Sequence, residues 1–330
     1  MTDERPVDVA ALAAGITQQD RRALAQAITL VESTRPEHRQ AAERLLAALP
    51  TPAPDVLRIG ISGAPGVGKS TLIEALGQII IATGERVAVL AVDPSSARSG
   101  GSILGDKTRM VELAREDRAF IRPSPAGETL GGVARRTREA LHLCEAAGFR
   151  RIIVETVGVG QSETAVSGMT DLFVLLVAPA GGDQLQGIKR GIMELADLVV
   201  VNKCDGELVA KARQAVAEYR SAIGLMMPRH AGLPAQALGV SAIKGVGMQE
   251  LWDAVVARWT ALASSGDLAR LRTAQARQWM WDEVAQGLRD HAERVTGDRG
   301  RELEQQVVDG RLLPHLAAAQ ILAGLLGDAA

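Results

Sequence analysis

Residues 63–70 read GAPGVGKS, that is Gly63, Ala64, Pro65, Gly66, Val67, Gly68, Lys69 and Ser70, and follow the apolar run Leu57, Arg58, Ile59, Gly60, Ile61. This is a complete G-x-x-x-x-G-K-[ST] pattern, the loop whose backbone amides cradle phosphate oxygens. Glycines at 63, 66 and 68 let the chain curl so that successive N–H groups point inward. Lys69 has the reach for the β- and γ-phosphates, and Ser70 brings a hydroxyl suited to Mg²⁺. The spacing predicts a helix over 70–82 whose positive end faces the same anion. A strand before the loop and a helix after it are the setting this pattern needs. Together they point to a bound nucleoside triphosphate.

Outward from that loop, strand-like runs recur at 57–62, 86–92, 119–122, 151–155, 172–178, 198–202 and 237–241. Most are unbroken Val/Ile/Leu stretches, as expected where helices cover both faces of a parallel sheet. Helical patterns at 70–82, 129–147, 207–222 and 247–262 alternate with them. The expectation is an α/β fold with a doubly wound, mostly parallel sheet. Residues 1–54 read as a helical extension, broken at Gly15 and Pro36, ending in the stiff Pro-rich stretch 50–54. Residues 55–263 form the nucleotide domain. Residues 264–330 are a helical arm, with a long amphipathic helix over 267–295 carrying Met280, Val284, Leu288 and Val295 on one stripe. Trp252 and Trp259 fit a core role, whereas Trp279 and Trp281 cannot share one helix face. One of those two is therefore expected to meet something outside its own helix.

Composition narrows the class. Hydrophobic residues make up 47% and aromatics only 2%, so the core is packed by small and branched aliphatics. A net charge of −2 argues against nucleic acid as partner. Cys144 and Cys204 are the two cysteines. They form no C-x-x-C pair, which fits a reducing compartment. No apolar run approaches 18 residues and MTDERPVDV has no signal character, so a cytoplasmic protein without membrane contact is expected. The five histidines, His38, His142, His230, His291 and His315, show no ligand spacing and read as surface or interface residues.

A second motif selects the base. Asn202-Lys203-Cys204-Asp205 closes the run 198–201. An Asp carboxylate there accepts from guanine N1–H and its 2-amino group, and adenine has neither donor. The Lys203 stem covers the base plane and Asn202 ties loop and purine together. Ser241-Ala242-Ile243-Lys244 adds a backbone N–H at Ala242 for guanine O6. The nucleotide expected is GTP, with GDP as its product.

Three carboxylates compete for Mg²⁺: Asp93 after the second strand, Asp106 within the Gly/Ser-rich stretch 93–110, and Glu155 ending the fourth strand. Mg²⁺ keeps several waters and needs few carboxylates. Both segments leave strand C-termini, where open sheets bind ligands. Their glycine content suits segments that order around a γ-phosphate, and 179–191 reads either as a third or as plain turns. Lys107, Arg109 and Lys189 read as charge balance for the transferring phosphoryl group or as ordinary surface cations. Gln161 is a candidate for positioning water.

The Asp-Pro-Ser-Ser run from residue 93, the block ETVGVGQSE at 155–163 and N-K-x-D together resemble the SIMIBI-class GTPases. Within them the chain is similar to the methylmalonyl-CoA mutase-associated GTPases of the MeaB type, relatives of the human cobalamin-A protein also described as arginine/lysine transport ATPases. The likeness runs from GITQQDRRALAQAITLVES (15–33) through the arm, essentially the whole chain. It implies a homodimeric G-protein chaperone that binds adenosylcobalamin-dependent methylmalonyl-CoA mutase, gates cofactor loading and protects or reactivates the enzyme. It further implies that Lys69, Ser70 and Thr71 hold phosphate and Mg²⁺, and that Asp93, Asp106 and Glu155 face the metal. Asn202, Lys203, Asp205 and Ala242 would read the base, with 93–109, 155–163 and 179–191 as switches. Nickel-insertion relatives carry Cys/His motifs missing here, and MinD-type ATPases have an extra Lys where this chain has Ala64. A small-molecule kinase would need an acceptor pocket and a general base, neither of which the sequence marks.

Overall fold

The computed structural model describes residues 7–92, 110–123, 130–156, 162–179 and 190–326. The chain divides into two compact units, Met1–Arg272 and Thr273–Ala330.

The first unit runs α1 (Val9–Thr17), α2 (Arg21–Glu32), α3 (Pro36–Ala48), β1 (Leu57–Gly63), α4 (Lys69–Ala82), β2 (Val87–Val92), α5 (Val111–Arg115) and β3 (Ala119–Arg122). It continues α6 (Leu130–Ala146), β4 (Arg151–Thr156), α7 (Ser162–Ser167), β5 (Leu172–Val177), α8 (Arg190–Met193), β6 (Leu198–Val201), α9 (Val209–Gly224), β7 (Gln236–Gly239) and α10 (Met248–Ser265). The strands form a seven-stranded sheet in the order β3-β2-β4-β1-β5-β6-β7. Every pairing is parallel. From β1 the chain winds to one side through β2, β3 and β4, then crosses to build β5, β6 and β7 on the other. The reversal lies at β1, so the crevice beyond its C-terminal end is where such a sheet takes ligands.

Period-2 alternation sorts the strand residues onto two cores. Leu57, Ile59 and Ile61 share a buried cluster with Leu172, Val174 and Leu176, with Leu72, Ile73 and Leu76 of α4, and with Trp252 and Val255 of α10. Phe173, Leu175 and Val177 fall in the opposite cluster with Ile152, Val154 and residues of α2, α3 and α6. Each of these large side chains contributes about 1.5–3 kcal/mol by leaving water. Gly60 occupies the second face of β1 because α7 rests directly on the strand: a Cβ there would lie 2.8 Å from Val166 Cγ1 and 2.8 Å from Thr170 Oγ1. Gly77 plays the same part in α4, where a Cβ would sit 2.6 Å from a Leu113 methyl of α5.

The N-terminal helices pack into the same core as α6 rather than standing apart, and ion pairs help to hold them. Arg39 of α3 donates to Glu139 of α6 (Nη1 to Oε2, 3.0 Å). Arg122 of β3 pairs with Glu32 of α2. Burial pushes the Glu32 carboxyl above its ordinary value, against the pull of Arg122. The expected break at Gly15 does not occur. Gly15 lies inside α1, its missing Cβ admitting Ala23 of α2, whose Cβ would otherwise be 2.7 Å away. The turn comes instead at Gln19, at a left-handed φ of 65°. Pro36 does mark a boundary, as the first residue of α3.

In the second unit, helix α11 (Asp267–Val308), which begins in the first, is interrupted at Gly297, with φ 46° and ψ −120°. The helix read from the sequence over 267–295 stops just short of that kink. Helix α12 (Pro314–Leu326) follows. Trp281 is 57% exposed and Leu288 65% exposed. The Trp279 indole donates to Glu283 at 3.1 Å. No described helix is long and apolar enough to cross a membrane.

Candidate nucleotide site

The phosphate loop closes between β1 and α4 in the conformation its glycines anticipate. Gly66 and Gly68 adopt φ of 77° and 96°, where an L side chain is strained. Gly63 is required by its neighbour strand: a Cβ would approach the Leu176 carbonyl oxygen to 2.4 Å. Lys69 is buried at the start of α4, and its Nζ donates to the carbonyls of Gly63 (2.8 Å) and Ala64 (3.3 Å). The ammonium is thus held at the mouth of the loop by the loop's own backbone. Thr71, one residue beyond Ser70, is exposed.

Adjacent strands bring the next group in. β1 pairs with β4 with Ile61 opposite Glu155, so the strand that feeds the loop lies beside the one that carries the carboxylate. Ser70 Oγ donates to Glu155 Oε1 at 3.3 Å. One residue on, the buried Thr156 hydroxyl donates to Ser62 Oγ at 2.7 Å, pinning the ends of β4 and β1 together. A hydroxyl and a carboxylate converging at a parallel sheet's C-terminal edge are hard oxygen donors, the chemistry Mg²⁺ takes. The remaining candidates lie outside the described residues: Asp93, Asp106, Lys107, Arg109, Gln161 and Lys189, with 93–109 and most of 155–163 and 179–191.

The guanine motif is tied to the phosphate loop at two points. Asn202, the residue after β6, donates through Nδ2 to the Val67 carbonyl at 3.0 Å and accepts from the Ala242 N–H at 3.2 Å. Gly68 makes room for it, since a Cβ there would fall 2.6 Å from Asn202 Nδ2. Lys203, at a positive φ of 62°, lays its chain back over the loop and donates from Nζ to the Gly66 carbonyl at 2.8 Å. Asp205 is half-buried and its carboxylate caps no helix end. Ser241 is buried and turns the chain: its N–H donates to Val246 O at 2.9 Å and its Oγ accepts from Lys244 N at 3.3 Å. Ile243 projects from that turn, 74% exposed. Asn202 therefore acts here as a strut between three loops, and the Ala242 N–H assigned to guanine O6 bonds to that strut. Cys204 packs beneath, its thiol donating to Val201 O at 3.1 Å.

Two buried charge clusters stand at the opposite edge of the sheet, where sequence spacing offered no signal. Asp171 accepts from Arg58 N (2.9 Å) and from Arg272 Nε (2.9 Å) and Nη2 (2.7 Å). Asp197 accepts from Phe173 N and Arg229 Nη1, each at 2.8 Å, with His230 Nε2 at 3.3 Å and Arg258 Nε at 3.7 Å. Burial pushes Asp197 up, but bonds from His230, the Arg229 charge and the Phe173 amide outweigh it and hold the carboxyl below its ordinary value. The reading of every histidine as a surface or interface residue does not fit His230, which is buried beside this carboxylate.

A family model described as "Methylmalonyl Co-A mutase-associated GTPase MeaB" matches residues 24–296. Over 322 residues the chain is 53% identical to a Mycobacterium tuberculosis protein named "Probable GTPase", covering 97% of this chain and 95% of that one. It is 46% identical over 334 residues to the Mus musculus "Methylmalonic aciduria type A homolog, mitochondrial", covering 98% of this chain and 80% of the relative. Among solved structures it resembles an "LAO/AO transport system kinase" with a TM-score of 0.76 and 36% identity, over 98% of this chain and 99% of the other.

Proposed function

The chain belongs to the family of methylmalonyl-CoA mutase-associated GTPases, and from that membership we propose that it is a GTP-hydrolysing chaperone of adenosylcobalamin-dependent methylmalonyl-CoA mutase. In this reading it gates cofactor loading and protects or reactivates the mutase. The observation that carries the chemistry is the convergence of Lys69, Ser70 and Glu155 at the β1–β4 crevice beside the Asn202–Lys203 bracket.

Lys69 exchanges its carbonyl partners for the β- and γ-phosphates, at little cost because both sets are oxygen acceptors. The loop amides of residues 64–70 and the α4 N-terminus supply the remaining donors. Asp205 reads guanine and Lys203 covers it. Ser70 and Glu155, with Asp93 and Asp106, would hold Mg²⁺, which when bound neutralises charge on the phosphates. Arg109, Lys189 and Gln161 are proposed for charge balance and for water. Hydrolysis serves as a switch only if the mutase binds the GTP and GDP states with different affinity. The second unit, with Trp281, Leu288, Val295 and Leu322 each more than half exposed, suits a homodimer, since monomers rarely leave large apolar patches in water.

The test is GTP turnover with and without purified mutase, alongside size-exclusion of the mixture. A raised rate and a nucleotide-dependent complex are expected; an unchanged rate and no complex would overturn the reading. The likeness to a solved transport-system kinase favours a second reading, transfer of the γ-phosphate to a small acceptor. γ-Labelled GTP separates them: label in free phosphate supports the GTPase, label on the acceptor the kinase. Insertion of nickel has no feature of the sequence behind it, the Cys/His motifs of the nickel-insertion relatives being missing here.

A further inference from the structure

Two buried hydroxyls stand where the backbone pairing of β1 with β4 runs out. That pairing ends with Ile61 opposite Glu155. One residue further on, Thr156 Oγ1 donates to Ser62 Oγ at 2.7 Å. Both side chains are buried. A hydroxyl taken out of water costs stability unless it finds a partner, and an apolar pair of the same shape would hold the strands about as well. What the hydroxyl pair adds is a fixed distance and angle, which apolar contact does not impose.

Successive residues of a strand point to opposite faces of the sheet. Ile153 packs in the core that α4 covers, whereas Ile152 and Val154 pack in the one shared with α6. Glu155 therefore faces α4, where its Oε1 accepts from Ser70 Oγ at 3.3 Å. Thr156 faces the other way, onto the side where α7 rests on Gly60, two residues before Ser62. The last two residues of β4 are thus clamped on opposite faces, and the strand end cannot roll about its axis without breaking one clamp. Ser62 is itself fixed: it stands in register with Leu175 of β5, and the next residue, Gly63, lies against the Leu176 carbonyl.

We infer that the Thr156–Ser62 pair is a positioning device for Glu155 on the metal side of the nucleotide site. Glu155 is buried, so its carboxylate takes its direction from the strand that carries it. The hydroxyl bond ties that strand end to the residue preceding the phosphate loop, and so sets Glu155 against Ser70 at the head of α4. Both hydroxyls lie on the opposite face of the sheet from Ser70 and act through Glu155 alone. The inference rests on the proposed reading of Glu155 as a Mg²⁺ ligand.

The experiment uses the full chain with Thr156→Val, Thr156→Ser, Ser62→Ala and the double variant Ser62→Ala/Thr156→Val. Valine keeps the shape of threonine and suits a buried strand, so Thr156→Val removes only the bond. In it the Mg²⁺ concentration that half-maximally slows release of a fluorescent GDP rises several-fold, and kcat at saturating Mg²⁺ falls about tenfold, as small misplacements do. GDP affinity in EDTA stays within about twofold, because Lys69, Asn202 and Lys203 keep their partners. Thr156→Ser keeps the hydroxyl and stays within about twofold of the parent in each readout. Ser62→Ala breaks the bond from the other strand and reproduces the Mg²⁺ defect, which decides the matter if Thr156→Val folds poorly. The double variant leaves no hydroxyl of the pair buried and unpaired, so its urea midpoint returns toward the parent's while its Mg²⁺ requirement stays raised. A merely structural pair would move both together. An unchanged Mg²⁺ requirement in Thr156→Val, or one that recovers with stability in the double variant, would overturn the inference. Glu155→Gln, run in parallel, tests the reading beneath it. If that variant keeps the parent's Mg²⁺ requirement, the metal assignment fails and the positioning role with it. If Glu155→Gln alone raises the requirement, the assignment stands and only the positioning role falls.

Discussion

Replacing Gly68 by Ala tests whether the phosphate loop and the guanine loop form one mechanical unit. The substitution imposes two separable costs. A left-handed backbone at φ 96° penalises any Cβ by about 1–2 kcal/mol. The added methyl also meets Asn202 Nδ2 at 2.6 Å. That amide cannot swing aside freely, being buried and bonded to Val67 O and Ala242 N. Losing either bond costs about 1–3 kcal/mol, because a buried partner is left unpaired. Gly68→Ala is therefore expected to destabilise the nucleotide-free chain by about 2–5 kcal/mol in urea unfolding. Asn202→Ala alone removes both bonds and costs a similar amount. In the double variant the clash has gone, so Gly68→Ala adds only its backbone strain, and the pair falls short of additivity by about 1–3 kcal/mol. Binding of fluorescent GDP weakens in each single variant. Strict additivity, or full nucleotide affinity in Gly68→Ala, would refute the shared strut.

Other substitutions probe the remaining parts. Asp205→Asn replaces an acceptor with a donor, so competition binding is expected to shift preference from GTP toward xanthosine triphosphate, whose 2-oxo group needs a donor. Glu155→Gln keeps Ser70's partner oxygen but removes the charge; its Mg²⁺ requirement for hydrolysis should rise with GTP affinity in EDTA little changed. Because Asp197 is held below the ordinary 3.8, its contribution is fully present above that value and lost as pH falls through the folded one. Urea stability of Asp197→Asn should be lower at pH 7 and decline less steeply than the parent's below about pH 5. Trp281→Glu in the second unit should lower the mass seen in light scattering if that face is the dimer seam, leaving GTP binding intact.

Much of this architecture was legible in residue order. All seven strands lie within a few residues of the apolar runs, because buried parallel strands are continuous Val/Ile/Leu segments with helices too long to be mistaken for them. The phosphate loop could be read for the same reason its glycines exist: positive φ and close approach exclude other residues. Contacts between distant residues were not legible. Nothing in the local pattern links Asn202 to Val67, Thr156 to Ser62, or His230 to Asp197, since each depends on where the sheet places its ends. Gly15 misled for a related reason, serving helix packing rather than helix termination. β7 stops at Gly239, earlier than its apolar run, because Ser241 turns back to bond Val246.

The two ties from Asn202 and Lys203 to the phosphate loop have a consequence for how the molecule tells one nucleotide from another. On the proposed reading they would make a calliper of fixed jaw, set for the distance from a purine edge to a β-phosphate, a distance that GTP and GDP share. Such a ruler reports that a guanine nucleotide is present and says nothing about how many phosphates it has. On that reading the distinction falls to the other flank of β1, where Glu155 stands one residue before the end of β4. Recognition and timing would then be divided between the two halves of one sheet, and a variant could lose its clock while keeping its grip.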